Sequence, residues 1–142
     1  MVIDTEFILL VISTLSIILL MGNIMRKRPV SQLQNAFATV LLTVLVISVG
    51  VISQLVFSNF LNIEPIYFEN FIYIGTCMLP VALFFVAIIF RNTKIRFKRK
   101  YLLLFVIPFL TLAVLYTNQY HHLFYKVYSS NLNEMVYGPY FY

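Results

Sequence analysis

The residues of this 142-residue chain with the most chemical capacity are two adjacent histidines, His121 and His122, in the stretch YTNQYHHLFY. Two imidazoles could begin a metal site, with Glu69, Glu64 or Cys77 as further ligands. Neighbouring helical residues point about 100° apart, however, and zinc takes three or four protein ligands, so the pair alone is a weak metal signature and no metal is expected. Local hydrogen bonding and interfacial packing is the plainer role for both rings; pH or ligand sensing is the functional one. Serines are present, but nothing in their spacing sets a nucleophile against a base. No phosphate-cradling glycine loop occurs, so neither a nucleotide nor any other cofactor is expected. Cys77 is the single cysteine, cannot form an internal disulfide, and reads as a packing residue.

The elements that must position these groups follow from composition. Hydrophobic residues make up 61% of the chain and charged residues 11%, with a mean hydropathy of +0.91, which excludes an ordinary soluble domain. The charges crowd into short intervals and leave 7–25, 29–63, 70–90 and 101–125 free of Asp, Glu, Lys and Arg. A hydrocarbon core of roughly 30 Å is crossed by about 20 helical residues. The expected fold is therefore all-α, a polytopic helical membrane protein with four spans at about 7–24, 36–60, 70–90 and 101–116, and an outer tail over 117–142. A small β-barrel would need polar and apolar positions to alternate, whereas LLVIST, IILLM and VLLTVLVI are apolar on both alternate sets. Residues 29–35 read as a short connection. The fourth span rises only about 24 Å, so Arg99 and Lys100 are expected to snorkel at its inner end while Thr117 and Asn118 occupy the outer interface.

Charge sets the orientation. Nine of the ten basic residues fall in the two intervals expected inside, including six in RNTKIRFKRK, and only Lys126 falls outside; all five acids, Asp4, Glu6, Glu64, Glu69 and Glu134, fall outside. This satisfies the positive-inside rule with the N-terminus outside. The acidic start MVIDTEF and the absence of a small-x-small site argue against a cleaved leader. With the intervening segments in lipid no folded basic groove remains, so nucleic acid is not an expected partner; membrane lipids are.

Within the second span Thr39, Thr43, Gly50 and Gln54 share one helical face within roughly 60°. That stripe suits a close helix contact, with Gln54 bonded to a neighbour, or a polar path for a ligand or ion. Gly75 and Ala82 mark a similar seam on the third helix, and such seams leave self-association open. Pro80 and Pro108 each remove a helix hydrogen bond and can bend their spans, as shape or as a signalling hinge. No ionisable residue sits deep in a span, which weighs against ion-coupled transport. A neutral substrate could still be carried on hydroxyls such as Ser13, Ser16 and Thr111.

Six tyrosines lie in 117–142, consistent with an aromatic segment along the outer interface. SSNLN reads as a turn, and YGPYFY as the approach to another apolar segment.

FVIPFLTLAVLYTNQYHHLFY (105–125) resembles the proline-containing fourth helix, Thr-Asn-x-x-His and aromatic run of the N-terminal seven-helix membrane region of bacterial sensor histidine kinases. YIGTCMLPVALFF (73–85) resembles that family's third helix and YGPYFY (137–142) the start of its fifth, all in family order. The residues that fit are Pro80, Pro108, Thr117, Asn118, His121, Gly138 and Pro139; His122 does not inherit the role of its neighbour. The resemblance implies a bacterial cell membrane location, an outer N-terminus, sensing of an external or membrane-associated cue, and output through a membrane or cytoplasmic signalling partner. It covers the first four helices only, so the bundle is expected to be an incomplete seven-helix one. Neither a phosphoaccepting histidine motif nor an ATP-binding motif is visible, so no catalysis is expected. The expected function is a truncated or split sensory module; the competing one is a structural or transport subunit of a helical membrane complex.

Overall fold

A computed structural model of the chain describes residues 5–26, 29–61, 66–92, 99–128 and 134–140. Three long helices come first: α1 (Thr5–Arg26), α2 (Gln32–Leu61) and α3 (Ile66–Asn92). Each is long and apolar enough to cross a membrane. A 3-10 segment (Arg99–Phe105) leads into α4 (Val106–Tyr116), followed by the single turn α5 (Asn118–His121). Two short strands, β1 (Tyr125–Val127) and β2 (Val136–Tyr137), pair antiparallel.

Helix boundaries have local causes. α2 begins inside the stretch expected as a connection, because Ser31 and Gln34 form a reciprocal capping box. The Gln34 amide donates to Ser31 Oγ at 3.1 Å and the Ser31 amide to Gln34 Oε1 at 2.7 Å. α3 runs through Pro80, which leaves the Thr76 carbonyl without its helical donor. Pro108 acts differently. It stands in the first turn of α4, where an N–H has no intrahelical partner, and its ring crowds the carbonyl four residues earlier, at Leu104. That carbonyl lies in the 3-10 segment, so the proline accounts for regular α-helix starting only at Val106.

The body of the molecule is the α2–α3 pair, whose contact is the most extensive in the fold; α1 leans on α2, and α4 on α3. Gly50 and Gly75 make the pair close. A Cβ on Gly50 would stand 2.6 Å from Ile72 Cγ1, and one on Gly75 would stand 2.6 Å from Ile47 Cγ1 and 2.8 Å from the Thr43 carbonyl. Thr43, Ser48, Gly50, Gly75 and Ala82 are buried there, Gln54 is half-buried, and Thr39 is exposed. The remaining apolar surface is open: Leu19 is 69% exposed, Phe90 79% and Ile107 74%. In water such a surface would drive aggregation, whereas hydrocarbon solvates it.

The all-α expectation needs one amendment, at the β1–β2 ribbon over the tail. The pairing sets Tyr125 opposite Tyr137 and Val127 opposite Val136, with a bulge between; aromatic and β-branched residues suit such cross-strand pairs. The expected turn at 129–133, the loop around Glu64, the start at Asp4, and most of the expected inner basic residues lie outside the described residues.

Candidate sensory site

The chemistry gathers where α4 ends. Thr117 closes α4, its amide donating to the Ala113 and Leu115 carbonyls. Its hydroxyl donates to the Ala113 carbonyl at 2.6 Å and lies 2.9 Å from His121 Nε2. The other ring nitrogen, His121 Nδ1, accepts from the Leu123 amide at 3.0 Å. A backbone N–H can only donate, so Nδ1 carries no proton and Nε2–H donates to Thr117 Oγ1. His121 thus joins the end of α4 to the chain that follows. His122 does something else. Its backbone is left-handed, at φ 51° and ψ 32°, and its amide donates to the Asn118 carbonyl at 2.8 Å, closing α5.

Asn118 is the clamp. Its Oδ1 accepts from the Phe124 amide at 2.8 Å and the Tyr125 amide at 3.1 Å, while Nδ2 donates to the Tyr125 carbonyl at 3.0 Å. One side chain therefore pairs three backbone groups at the start of β1 as another strand would. Gly138 completes the closure: its amide donates to the Phe124 carbonyl at 2.8 Å, and a Cβ there would overlap the Leu123 carbonyl. Beyond it the Tyr140 amide donates to the Leu123 carbonyl at 3.0 Å, and the Tyr140 hydroxyl lies 3.1 Å from Thr111 Oγ1 on α4.

The ribbon also reaches α3. Phe124, Tyr125 and Leu115 form a buried cluster with Tyr73, Met135 and Tyr137 packed against it, and Tyr73 meets Phe124 edge-on at 5.3 Å. The Tyr125 hydroxyl donates to Tyr73 Oη at 3.1 Å and, more weakly, to Glu69 Oε2 at 3.4 Å. Tyr128 hydrogen-bonds the same carboxylate. Burial, reinforced by the Tyr73 hydrogen bond, pushes the Tyr125 phenol far above the usual tyrosine range, so it remains a donor.

The structure therefore brings Thr117, Asn118 and His121 into one cap with Gly138. His122 stands at its edge on a separate duty. Pro80 and Pro108 face a different cavity, of about 380 Å3 between α3 and α4, lined also by Cys77, Phe84 and Thr111. Gln54 belongs to α2 and joins neither group. Among the described residues no three His, Cys, Asp or Glu side chains are grouped to hold a metal. Sequence reasoning missed Glu69, Tyr73 and Tyr125 as partners. The signal available was the i, i+4 spacing of Glu69 and Tyr73, which puts an acid and a phenol on one face at the start of an apolar helix.

Long apolar helices, a lipid-compatible surface and a polar cap at one end define a helical membrane protein. The chain belongs to the family described as the N-terminal 7TM region of histidine kinase, whose model matches residues 8–142. That region is the sensor part of such kinases, not the catalytic one. Neither curated proteins nor solved structures give a match.

Proposed function

We propose that the chain senses a cue at the cap and passes it on as a change in how α4 packs against α3. One observation carries this reading: the Thr117–Asn118–His121 cluster fastens the ribbon to α4, while Tyr125 of that ribbon hydrogen-bonds Glu69 and Tyr73 of α3. Anything that moves the ribbon shifts one helix relative to the other. α2 and α3 are locked at Gly50 and Gly75, whereas a cavity interrupts the smaller α3–α4 contact, so α4 with its ribbon is the part freer to move. The charge distribution supports four spans with the N-terminus and the cap outside. The output is attached to the chain or associated with it as a signalling partner. A transport role gains little, since Ser13, Ser16 and Thr111 each donate to a carbonyl four residues back in their own helix.

The test is made in the native host. Deleting the chain should shift a defined set of transcripts, and Asn118→Ala should reproduce that shift with the protein still in the membrane. Unchanged transcripts together with altered uptake of a neutral solute would replace the sensory reading with the transport one.

A further inference from the structure

Between the start of α3, the end of α4 and β1 lies a cavity of about 330 Å3. This is at the small end of the roughly 300–1,000 Å3 usual for small-molecule pockets, too little for a folded partner. Leu115, Tyr116 and Tyr125 give it apolar wall, and Asn70 and Gln119 bring amides to it. Asn118 also lines it, but its amide is occupied by the ribbon backbone. Among the described residues Lys126 is the only lysine or arginine of the lining set, and no carboxylate joins it. Glu69, the nearest acid in the cap network, is hydrogen-bonded by Tyr125 and Tyr128.

We propose that this cavity binds a small amphipathic carboxylate, its anionic head on Lys126 and its apolar body against Leu115, Tyr116 and Tyr125. The assignment rests on the sensory reading and gives the cue a chemical class. Tyr125 makes the link, because the residue that walls the cavity is the one that bonds α3. A ligand seated there bears on the Asn118 clamp and on the Glu69–Tyr73 pair at once. A cation of equal size would meet Lys126 with no carboxylate among the described lining residues to offset it.

The experiment is equilibrium binding of radiolabelled phenylacetate to the full chain in nanodiscs of zwitterionic lipid. Saturable binding is expected, with phenylacetamide and phenethylamine competing at least about tenfold less well. Lys126→Gln should weaken phenylacetate binding about tenfold or more, and Lys126→Arg should stay within about threefold of the parent. Lys126 is exposed, so both variants should fold; unchanged exchange of the Phe124 and Tyr125 amides checks that. No saturable binding by the parent chain, an indifferent Lys126→Gln variant, or preference for phenethylamine would each overturn the assignment. Binding as described without any shift of host transcripts would keep the site and remove the sensory role; transcripts responding to Asn118→Ala with no phenylacetate binding would do the reverse.

Discussion

Replacing Asn118 with alanine removes three hydrogen bonds, two accepted from the Phe124 and Tyr125 amides and one donated to the Tyr125 carbonyl. At about 1 kcal/mol net for each, the ribbon should lose about 3 kcal/mol of local stability. With a factor of ten for every 1.4 kcal/mol, the two amides should exchange with deuterium roughly a hundredfold faster. Amides of the α2–α3 seam, such as Thr43 and Gly75, should not change, because they share no partner with Asn118. Asn118→Asp is the discriminating companion. It keeps both acceptor contacts, loses the donor, and sets a carboxylate against the Tyr125 carbonyl, so its effect should fall between parent and alanine variant. Hydrogen exchange on the chain in nanodiscs reads all of this residue by residue. If the Phe124 and Tyr125 amides exchanged at parental rates in Asn118→Ala, the clamp would not hold the ribbon and the coupling derived from it would fail.

Other consequences can be measured separately. Gly138→Ala cannot close against the Leu123 carbonyl, so trypsin added outside sealed, correctly oriented vesicles should cut after Lys126 at least about tenfold faster; parental rates would mean that the ribbon tolerates a Cβ. Gly75→Val should lower stability by about 1–3 kcal/mol through overpacking against Ile47. Gly22→Ala, with nothing within 4 Å of the added carbon, should be neutral or add up to about 1 kcal/mol; equal thermal shifts for the two would contradict the seam. The raised Tyr125 phenol stabilises the fold fully below the unfolded value near 10, and that contribution is lost as pH rises through the higher folded value. Tyr125→Phe should therefore subtract no tyrosinate absorbance from the folded chain below about pH 11.

The long helices were legible because lipid imposes a simple rule: uncharged stretches near twenty residues, with charge at their ends, have little alternative to a helix. The start of α2 was misjudged because Ser31 and Gln34 look like loop residues until their reciprocal bonds are seen. In the cap the outcome divides by range. Thr117, Asn118 and His121 are local in sequence and stand out through the family pattern, although that pattern names none of the bonds they make to one another or to the ribbon backbone. Tyr125 with Glu69 and Tyr73 is a contact between residues more than fifty positions apart. No periodicity reports such a contact, and an aromatic tail at a membrane surface offers interfacial partitioning as an equally good account of the same tyrosines. The ribbon was hidden for the same reason: two or three residues per strand are too few to show alternation.

The size of the clamp limits the kind of switch the cap can be. A ligand shifts an equilibrium only by its difference in affinity for the two states. Driving a population from 1:99 to 99:1 takes about 5.5 kcal/mol of such difference. If a cue acts by competing with or reinforcing the Asn118 bonds, about 3 kcal/mol is available, or about two orders of magnitude in the equilibrium constant. That carries a state from about one in ten to above nine in ten, but not between two fully populated extremes. The cap on its own is therefore suited to a graded response, in which α4 is displaced in a fraction of molecules at rest. Cross-linking of Asn70→Cys to Tyr116→Cys in a Cys77→Ser background, by a bismaleimide long enough to replace the tyrosine side chain, would show this as a slowed initial rate before any cue, since the Tyr116 hydroxyl spans to within 3.4 Å of the Asn70 carbonyl in the packed arrangement. Complete and rapid cross-linking in the resting chain would require a larger energy gap than the cap supplies and would move the search for the switch elsewhere, to the two-proline cavity between α3 and α4.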